Sequence, residues 1–259
     1  MMPLLLVALC TGCDGDAGGA YLYRPAYCLD HALRGPTTPY LPQPGDIMLA
    51  TDDKFFWKLT HNLAGTGHPH HTGVVFARPD GSIAVLEAGP HDTARIRNLD
   101  WYEHFCLYEQ KGRIWIRQRK APLTPEQSEC LTHFALAQEG KFFALVRLGK
   151  QLTVFRSRGP IRTEFMGQPH GPDRRGYYCS ELAMEALVAA GAIDAKTARP
   201  AATYPRDIFF DSSPNPYLNR HLNLSGCWYP PARFTSCPST CNTNAEPTGA
   251  TAPAGAPPD

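Results

Sequence analysis

The sequence predicts an α+β fold in which an antiparallel sheet packs against a helix that begins at Cys179. Two apolar runs of strand length, His71–Ala77 and Ile83–Ala88, are separated by Asp80-Gly81, a dipeptide typical of tight hairpins. Strands joined by such a short turn pair antiparallel, so the sheet is expected to be antiparallel. After Cys179, apolar residues recur at helical spacing and stop before a glycine, at Leu182, Ala183, Ala186, Leu187 and Ala190.

Local signals along the chain predict the other elements. Thr124, Pro125 and Gln127 supply a capping hydroxyl, a first-turn proline and a capping-box amide, so a helix is predicted from there to about Gly140. The stretch from Gly140 to Gly176 is basic and broken by Gly-Pro pairs, which is typical of a long loop. Short strands are predicted at 46–50 and 113–117, a brief aromatic helix at 55–60, and a last packed segment at 205–211.

The composition indicates one globular domain with flanking segments. The 259 residues are 43% hydrophobic and can bury a sizeable core, while 25 Lys+Arg against 24 Asp+Glu give a net charge of +1. This balance lacks the basic footprint of nucleic-acid-binding proteins, so no nucleic-acid partner is expected. We predict a leader at 1–13, an irregular lead-in at 14–43, a compact domain at 44–211, a cysteine-containing extension at 212–241 and a disordered tail at 242–259.

The first residues predict export. Residues 3–9 form an apolar run that is too short to span a bilayer but long enough for the core of a signal peptide. Gly12 precedes Cys13, as a small residue does at the cleavage and lipidation site of bacterial lipoproteins. We therefore expect a bacterial protein of the periplasm or outer membrane that is attached to the membrane through a lipidated Cys13. Cleavage at another position and a misassigned start codon are the alternatives.

Nine cysteines favour an oxidising compartment. Cleavage before Cys13 and lipidation of that residue would leave Cys179 and six further cysteines, an even number that suits disulfides. Cys227, Cys237 and Cys241 predict a tail tied by a disulfide. Zinc is the alternative, but it would need a fourth ligand that the tail does not obviously supply.

Cys179 is the candidate nucleophile. A cysteine in the first turn of a helix lies beside unpaired backbone N–H groups, which favour the thiolate. Such a thiol needs a base and a third group that orients the base. His71 begins one hairpin strand and Glu87 lies near the end of the other, so the two can fill these roles if the strand register brings them together. The alternatives are simple packing of Cys179, and an ion pair of Glu87 with Arg95 or Arg97.

These residues resemble the motifs of a known family. His71-Thr72-Gly73, followed by the strand that contains Glu87, is similar to the strand pair of NlpC-type papain-like cell-wall peptidases. Here the cysteine, in Tyr178-Cys179-Ser180, comes after the histidine. That order resembles the circularly permuted YiiX/YaeF-type group and, more distantly, the lecithin:retinol acyltransferases. Residues 44–47 (PGDI) and 204–207 (YPRD) match opening and closing segments of those families, so the resemblance covers about 44–211.

The resemblance implies a circularly permuted papain-like fold with Cys179 as nucleophile and His71 as base. Ordinary members carry His at the third position, so the orienting role of Glu87 rests on its position and chemistry. The expected activity is a thiol hydrolase of the cell envelope that cleaves amide bonds in peptidoglycan stem peptides. Tyr178 and Trp57 are candidate pocket residues, and simple packing is the alternative for Tyr178. The alternatives are an acyl-lipid hydrolase or acyltransferase that uses the same Cys/His pair, and a non-catalytic binding module.

Neither a metal nor a cofactor is expected. His68, His70 and His71 are close in sequence, but neighbouring histidines on a loop point in different directions and have no cysteine or carboxylate at ligand spacing. The other histidines that we considered are interpreted as surface or packed residues: His61, His91, His104 and His133.

Overall fold

The computed structural model describes residues 19–24, 36–52, 67–89, 93–150 and 159–236. The leader with Cys13, the aromatic segment with Trp57, Cys237, Cys241 and the tail at 242–259 lie outside the described residues, so the statements about them stay predictions. In the described part of the chain, no helix is long and apolar enough to cross a membrane.

A large antiparallel sheet forms the centre of the protein. The described strands are β1 (Tyr21–Tyr23), β2 (Thr37–Pro39), β3 (Ile47–Asp52), β4 (His71–Ala77), β5 (Ile83–Ala88), β6 (Ile96–Asp100), β7 (Gly112–Arg117), β8 (Phe142–Phe143), β9 (Gly176–Tyr177) and β10 (Ala232–Thr235). Eight of them form one sheet in the order β2-β1-β10-β7-β3-β4-β5-β6, in which every neighbouring pair is antiparallel. Strands β8 and β9 pair parallel in a small separate sheet. The predicted α+β class is confirmed.

Helices cover both faces of the large sheet. The described α-helices are α1 (Trp101–Lys111), α2 (Pro125–Gln138), α3 (Leu145–Lys150), α4 (Cys179–Ala189), α5 (Pro205–Phe210) and α6 (Pro216–Asn219). Alternate residues of a strand point to opposite faces. Val74 and Leu86 therefore pack in the core that contains α2 and α4, whereas Val75 and Val85 pack in the core that contains α1. The sheet is a middle layer with α4 on one side and α1 on the other.

The predicted hairpin and the two longer predicted helices are confirmed. Strands β4 and β5 have the predicted bounds, and the backbone N–H of Arg78 donates to the Ser82 carbonyl at 2.7 Å to close the turn. Helix α2 follows Thr124 with the predicted capping box, and α4 begins at Cys179. Each of these elements carries its own start or turn signal, so the sequence determines it locally.

The predicted organisation is wrong in three places. Strands β1 and β2 lie in the predicted irregular lead-in and β10 lies in the cysteine-containing extension, so the sheet extends beyond 44–211. These strands have three or four residues, too few to show alternation. The predicted loop at 140–176 contains β8, α3 and a π-helical turn at Arg162–Met166. Helix α1 is absent from the prediction because it buries His104, Phe105 and Tyr108 in place of an aliphatic stripe.

Cys227 carries a free and exposed thiol, whereas Cys237 and Cys241 lie outside the described residues, so the disulfide predicted for the tail stays a prediction. Backbone hydrogen bonds hold this residue instead. Its N–H donates to the carbonyl of Leu224 at 3.0 Å, and its carbonyl accepts from the N–H of Lys120 at 2.9 Å. Cys227 is thus fixed at the end of a short 3₁₀ turn without a covalent link.

Asp46 connects the start of β3 to two loops. Its carboxylate is fully buried and accepts hydrogen bonds from the Tyr40 hydroxyl at 2.9 Å, the Arg119 N–H at 2.7 Å and the Gln43 N–H at 3.2 Å. Burial raises the pKa of Asp46 to about 6, and the hydrogen bonds from Arg119, Gln43 and Tyr40 limit that rise. Asp46 therefore fixes the entry to β3, the strand that pairs with β4.

We predict that Asp46→Ala lowers the free energy of unfolding by about 1–3 kcal/mol, because buried donors lose their acceptor. Urea denaturation measures this quantity. Asp173→Ala changes an exposed aspartate and serves as the control, with an expected change within about 0.5 kcal/mol. Equal effects of the two substitutions would contradict the structural role of Asp46.

Candidate active site

Cys179 is the first residue of α4 and is nearly buried, with 8% of its surface exposed. Tyr178 precedes the helix in an extended conformation and its side chain does not cap the helix. The first-turn N–H groups therefore do not donate to the N-cap side chain, and their partial positive charge lies beside the Cys179 sulfur. The Cys179 Sγ also lies 3.9 Å from the carbonyl oxygen of His70, in the residue before β4.

Polar contacts around its first turn fix the start of α4. The Tyr178 hydroxyl donates to the Ala201 carbonyl, and the Ser180 hydroxyl donates to the Thr203 carbonyl at 2.7 Å. Glu181 is fully buried, and burial raises its pKa, although the nearby guanidinium groups of Arg147 and Arg174 oppose the rise. Arg147 binds the Glu181 carboxylate through two nitrogens, at 2.8 and 2.5 Å. The thiol is thus presented by a helix end that has little freedom to move.

His71 contacts both other candidate residues. Its Nε2 lies 2.8 Å from Glu87 Oε2, and Cys179 lies close enough to contribute to raising the pKa of His71. Because Nε2 faces Glu87, Nδ1 is the ring nitrogen left for the thiol. The structure therefore brings Cys179, His71 and Glu87 together in the order nucleophile, base and orienting group.

Gly73 makes the contact between His71 and Glu87 possible. In the β4–β5 register, Glu87 lies opposite Gly73, so its side chain must cross this position to reach His71, two residues earlier on the same face. A Cβ on Gly73 would lie 2.7 Å from Glu87 Cγ and 2.8 Å from Val85 Cγ1, which is too close for any side chain. The missing side chain at residue 73 leaves the space that the carboxylate uses.

Charges at the site stabilise an imidazolium. Burial acts to lower the pKa of His71, but the Glu87 charge and the hydrogen bonds with Cys179 and Glu87 outweigh it and raise that pKa to about 10. Burial likewise acts to raise the pKa of Glu87, but the charges and hydrogen bonds of His104 and His71 lower it to about 2. Near neutral pH, His71 is therefore protonated and Glu87 is ionised, so a thiolate at Cys179 would face a positive partner.

His104 is the site residue that the sequence prediction missed. It was interpreted as a surface or packed residue, yet its Nε2 lies 2.6 Å from Glu87 Oε1 in the interior. The competing ion pair of Glu87 with an arginine is not observed: Arg97 binds Glu139, and the Arg95 guanidinium donates to the Gly140 carbonyl. The available signal was the pair of His104 and Tyr108, which are four residues apart on one helical face.

Tyr178 does not line an open pocket. Only 2% of its surface is exposed, and its hydroxyl is bonded to a backbone carbonyl, so it packs at the start of α4. This corrects the predicted pocket role of Tyr178, while Trp57 lies outside the described residues. Among the described residues, no three His, Cys, Asp or Glu side chains are grouped so that they could hold a metal ion.

Comparisons with known proteins find structural similarity only at low sequence identity. No family model matches the chain, and no curated protein matches it. The crystal structure of the metalloprotein YiiX from Escherichia coli O157:H7 is similar to it with a TM-score of 0.41 and 21% identity, over 60% of this chain and 69% of that one. YiiX belongs to the YiiX/YaeF group that the sequence motifs resemble. Similarity at this level assigns neither a fold family nor an activity.

We predict that Gly73→Ala slows alkylation of Cys179 by iodoacetamide at pH 7 by roughly tenfold, because the added methyl displaces Glu87 and weakens the imidazolium partner of the thiolate. Mass spectrometry of the Cys179 peptide measures the rate separately from that of other cysteines. The matched control is Gly149→Ala in α3, where a Cβ meets nothing within 4 Å. Wild-type reactivity in Gly73→Ala would show that the close approach at Gly73 is unimportant.

A second prediction concerns pH and stability. The pKa of Glu87 falls from 4.5 to about 2 and that of His71 rises from 6.5 to about 10 on folding. The Glu87 contribution is therefore complete above pH 4.5 and is lost as pH falls through 2, whereas the His71 contribution is complete below pH 6.5 and is lost as pH rises through 10.

Glu87→Gln should consequently lower the free energy of unfolding most between pH 4.5 and 6.5, by on the order of 3 kcal/mol. The difference from wild type should shrink towards both acid and alkaline pH. Urea denaturation at a series of pH values tests this expectation, with Glu129→Gln on the exposed face of α2 as the control. A difference that does not vary with pH would rule out the charged pair.

Proposed function

We propose that this protein is a cysteine hydrolase that cleaves amide bonds, with Cys179 as nucleophile, His71 as general base and acid, and Glu87 as the residue that orients His71. The observation that carries the proposal is the position of His71, which contacts a buried carboxylate at 2.8 Å and interacts electrostatically with the Cys179 thiol. Two adjacent contacts of this kind are the requirement for an activated thiol. If Glu87 had instead paired with Arg95 or Arg97, its carboxylate would not contact His71.

The three residues and the Cys179 N–H have distinct roles in the proposed reaction. The Cys179 sulfur attacks the carbonyl carbon, and the negative charge that develops on the carbonyl oxygen is stabilised by the Cys179 N–H. His71 gives its proton to the leaving amine as the C–N bond breaks, which leaves a thioester on Cys179. His71 then takes a proton from water, whose oxygen attacks the thioester carbonyl; the C–S bond breaks, the acid product leaves, and Cys179 is released as a thiolate beside the protonated His71. Glu87 stabilises the imidazolium in both halves of the reaction.

The proposed fold family is the circularly permuted papain-like one. Its support is the chain order, in which the base strand β4 and the orienting strand β5 precede the nucleophile helix α4. The proposed substrate is a peptidoglycan stem peptide in the bacterial envelope. Support for that location comes from the sequence of the first 13 residues, which predicts an export signal and a lipidation site at Cys13.

An acyl lipid is the second candidate substrate, and one observation favours it. The described residues from β8 to β9 include several exposed apolar side chains: Phe142, Leu145, Val146, Ile161, Phe165 and Met166. This segment is tied to the nucleophile helix, because Arg147 binds Glu181, two residues after Cys179. An exposed apolar surface of this kind suits an acyl chain better than a polar peptide.

We expect Cys179→Ala to lower the rate of amide hydrolysis by on the order of 10⁴-fold, because the nucleophile is lost. Chromatography of muropeptide digests measures the rate. Cys130→Ala removes an exposed free thiol on α2 and is the matched control, with an expected wild-type rate. Equal hydrolysis by wild type and Cys179→Ala would end the proposal.

The same preparation separates the candidate functions. Wild-type protein is incubated separately with muropeptides and with acyl lipid, and the mass of the Cys179 peptide is measured. An acyl adduct from lipid alone would replace the peptidase proposal by the lipid one. A binding module without catalysis is indicated if no adduct forms and alkylation of Cys179 accelerates only near the ordinary thiol range of about pH 8.5.

A further inference from the structure

The two oxygens of Glu87 are divided between two parts of the protein. Oε2 faces the active site, where His71 Nε2 lies at 2.8 Å and the Tyr108 hydroxyl donates at 3.4 Å. Oε1 faces away from it and is contacted by His104 Nε2 at 2.6 Å. Because the carboxylate is fully buried, water does not replace either contact. The direction of Oε2 therefore depends on what holds Oε1.

Helix α1 supplies two groups that form hydrogen bonds with the Glu87 carboxylate, His104 and Tyr108. His104 and Tyr108 are four residues apart, so they lie on one face of the helix. The Tyr108 ring stacks on His71 with 5.6 Å between centroids and meets His104 edge-on at 4.8 Å. Helix α1 packs on the face of the sheet opposite α4. The base His71 is therefore supported by the layer that contains α1, whereas the thiol belongs to α4 in the opposite layer.

The proton positions follow from the acceptor. An ionised carboxylate accepts hydrogen bonds and donates none, so the Nε2 of His104 must carry a hydrogen. Its 2.6 Å contact with Oε1 is shorter than the 3.4 Å contact of the Tyr108 hydroxyl with Oε2. His104 is thus the stronger of the two supports that α1 gives to Glu87.

We propose that His104 is a positioning residue of the active site, which holds the Glu87 carboxylate in the orientation that stabilises the His71 imidazolium. The proposal rests on the proposed function for its catalytic meaning, but the effect on His71 is independent of any substrate. Loss of the His104 N–H leaves Oε1 buried without its donor, so the carboxylate rotates or takes up a proton. Either change removes negative charge from the position that faces His71.

Among the described residues, the groups recorded as acting on His71 or Glu87 are the following. His71 is influenced by Glu87 and Cys179, and Tyr108 stacks on its ring. Glu87 is influenced by His104 and His71, and Tyr108 donates to it. A change at His104 therefore reaches His71 through Glu87.

Two amide variants of the full chain test the proposal. The amide nitrogen of His104→Gln can occupy the place of Nε2 and donate to Oε1, whereas the shorter His104→Asn places its amide nitrogen near the Nδ1 position, out of reach of Glu87. Both are polar and smaller than histidine, so differences between them report the hydrogen bond. His133→Asn changes an exposed histidine and is the control.

Titration of the His71 ring by NMR is the first measurement, and it needs no substrate. We expect the titration of His71 in His104→Asn to move to lower pH by about one unit or more, and that in His104→Gln to stay close to wild type. For amide hydrolysis, kcat should fall about 10- to 100-fold in His104→Asn with little change in KM. His104→Gln should restore most of it.

The outcomes separate the two proposals. If the wild-type protein hydrolyses no amide or ester but the titration of His71 moves only in His104→Asn, the proposed function fails and the positioning role stands. If both amide variants titrate like wild type, the positioning role is overturned, even where unfolding shows that they are less stable. Equal shifts in the two variants would also overturn it, because the donor at Nε2 would then be irrelevant.

Discussion

The buried negative charge of Glu87 is the constraint on which the rest of the site depends. A carboxylate without contact to water is stable only where donors and positive charge surround it. Here they come from β4 through His71 and from α1 through His104 and Tyr108. Three features are consequently coupled: the register of the β4–β5 hairpin, the docking of α1 and the protonation of His71. Each of them contributes a donor or a positive charge that stabilises the Glu87 carboxylate.

The start of α4 is fixed independently of that charge. Hydrogen bonds from Tyr178 and Ser180 to the segment at 201–203, and the ion pair of Glu181 with Arg147, hold the first turn from several directions. The Cys179 thiol is held by these contacts of α4, whereas the His71 imidazole is positioned by Glu87 and by Tyr108 of α1. This division matters because catalytic geometry tolerates displacements of well under about 1 Å.

Much of the core arrangement could be predicted from the sequence, because the signals were local. The Asp-Gly turn defined β4 and β5, and with them the meeting of His71 and Glu87; the capping residues defined α2. The rest depended on distant partners. Strand β10 is recognisable only by its pairing with β7, where Ala232 lies opposite Ile116. The role of His104 can be recognised only from its contact with Glu87 in the folded structure. The helix that carries it, α1, lacks the aliphatic periodicity by which helices are recognised in a sequence.

The layered construction has a consequence for the chain before it is fully folded. The thiol belongs to a helix on one face of the sheet, and the carboxylate that keeps its partner protonated is completed by a helix on the other face. Until both layers have docked, Cys179 is an ordinary cysteine beside an ordinary histidine. The contacts among Cys179, His71, Glu87 and His104 therefore form only when both helical layers have docked on the sheet.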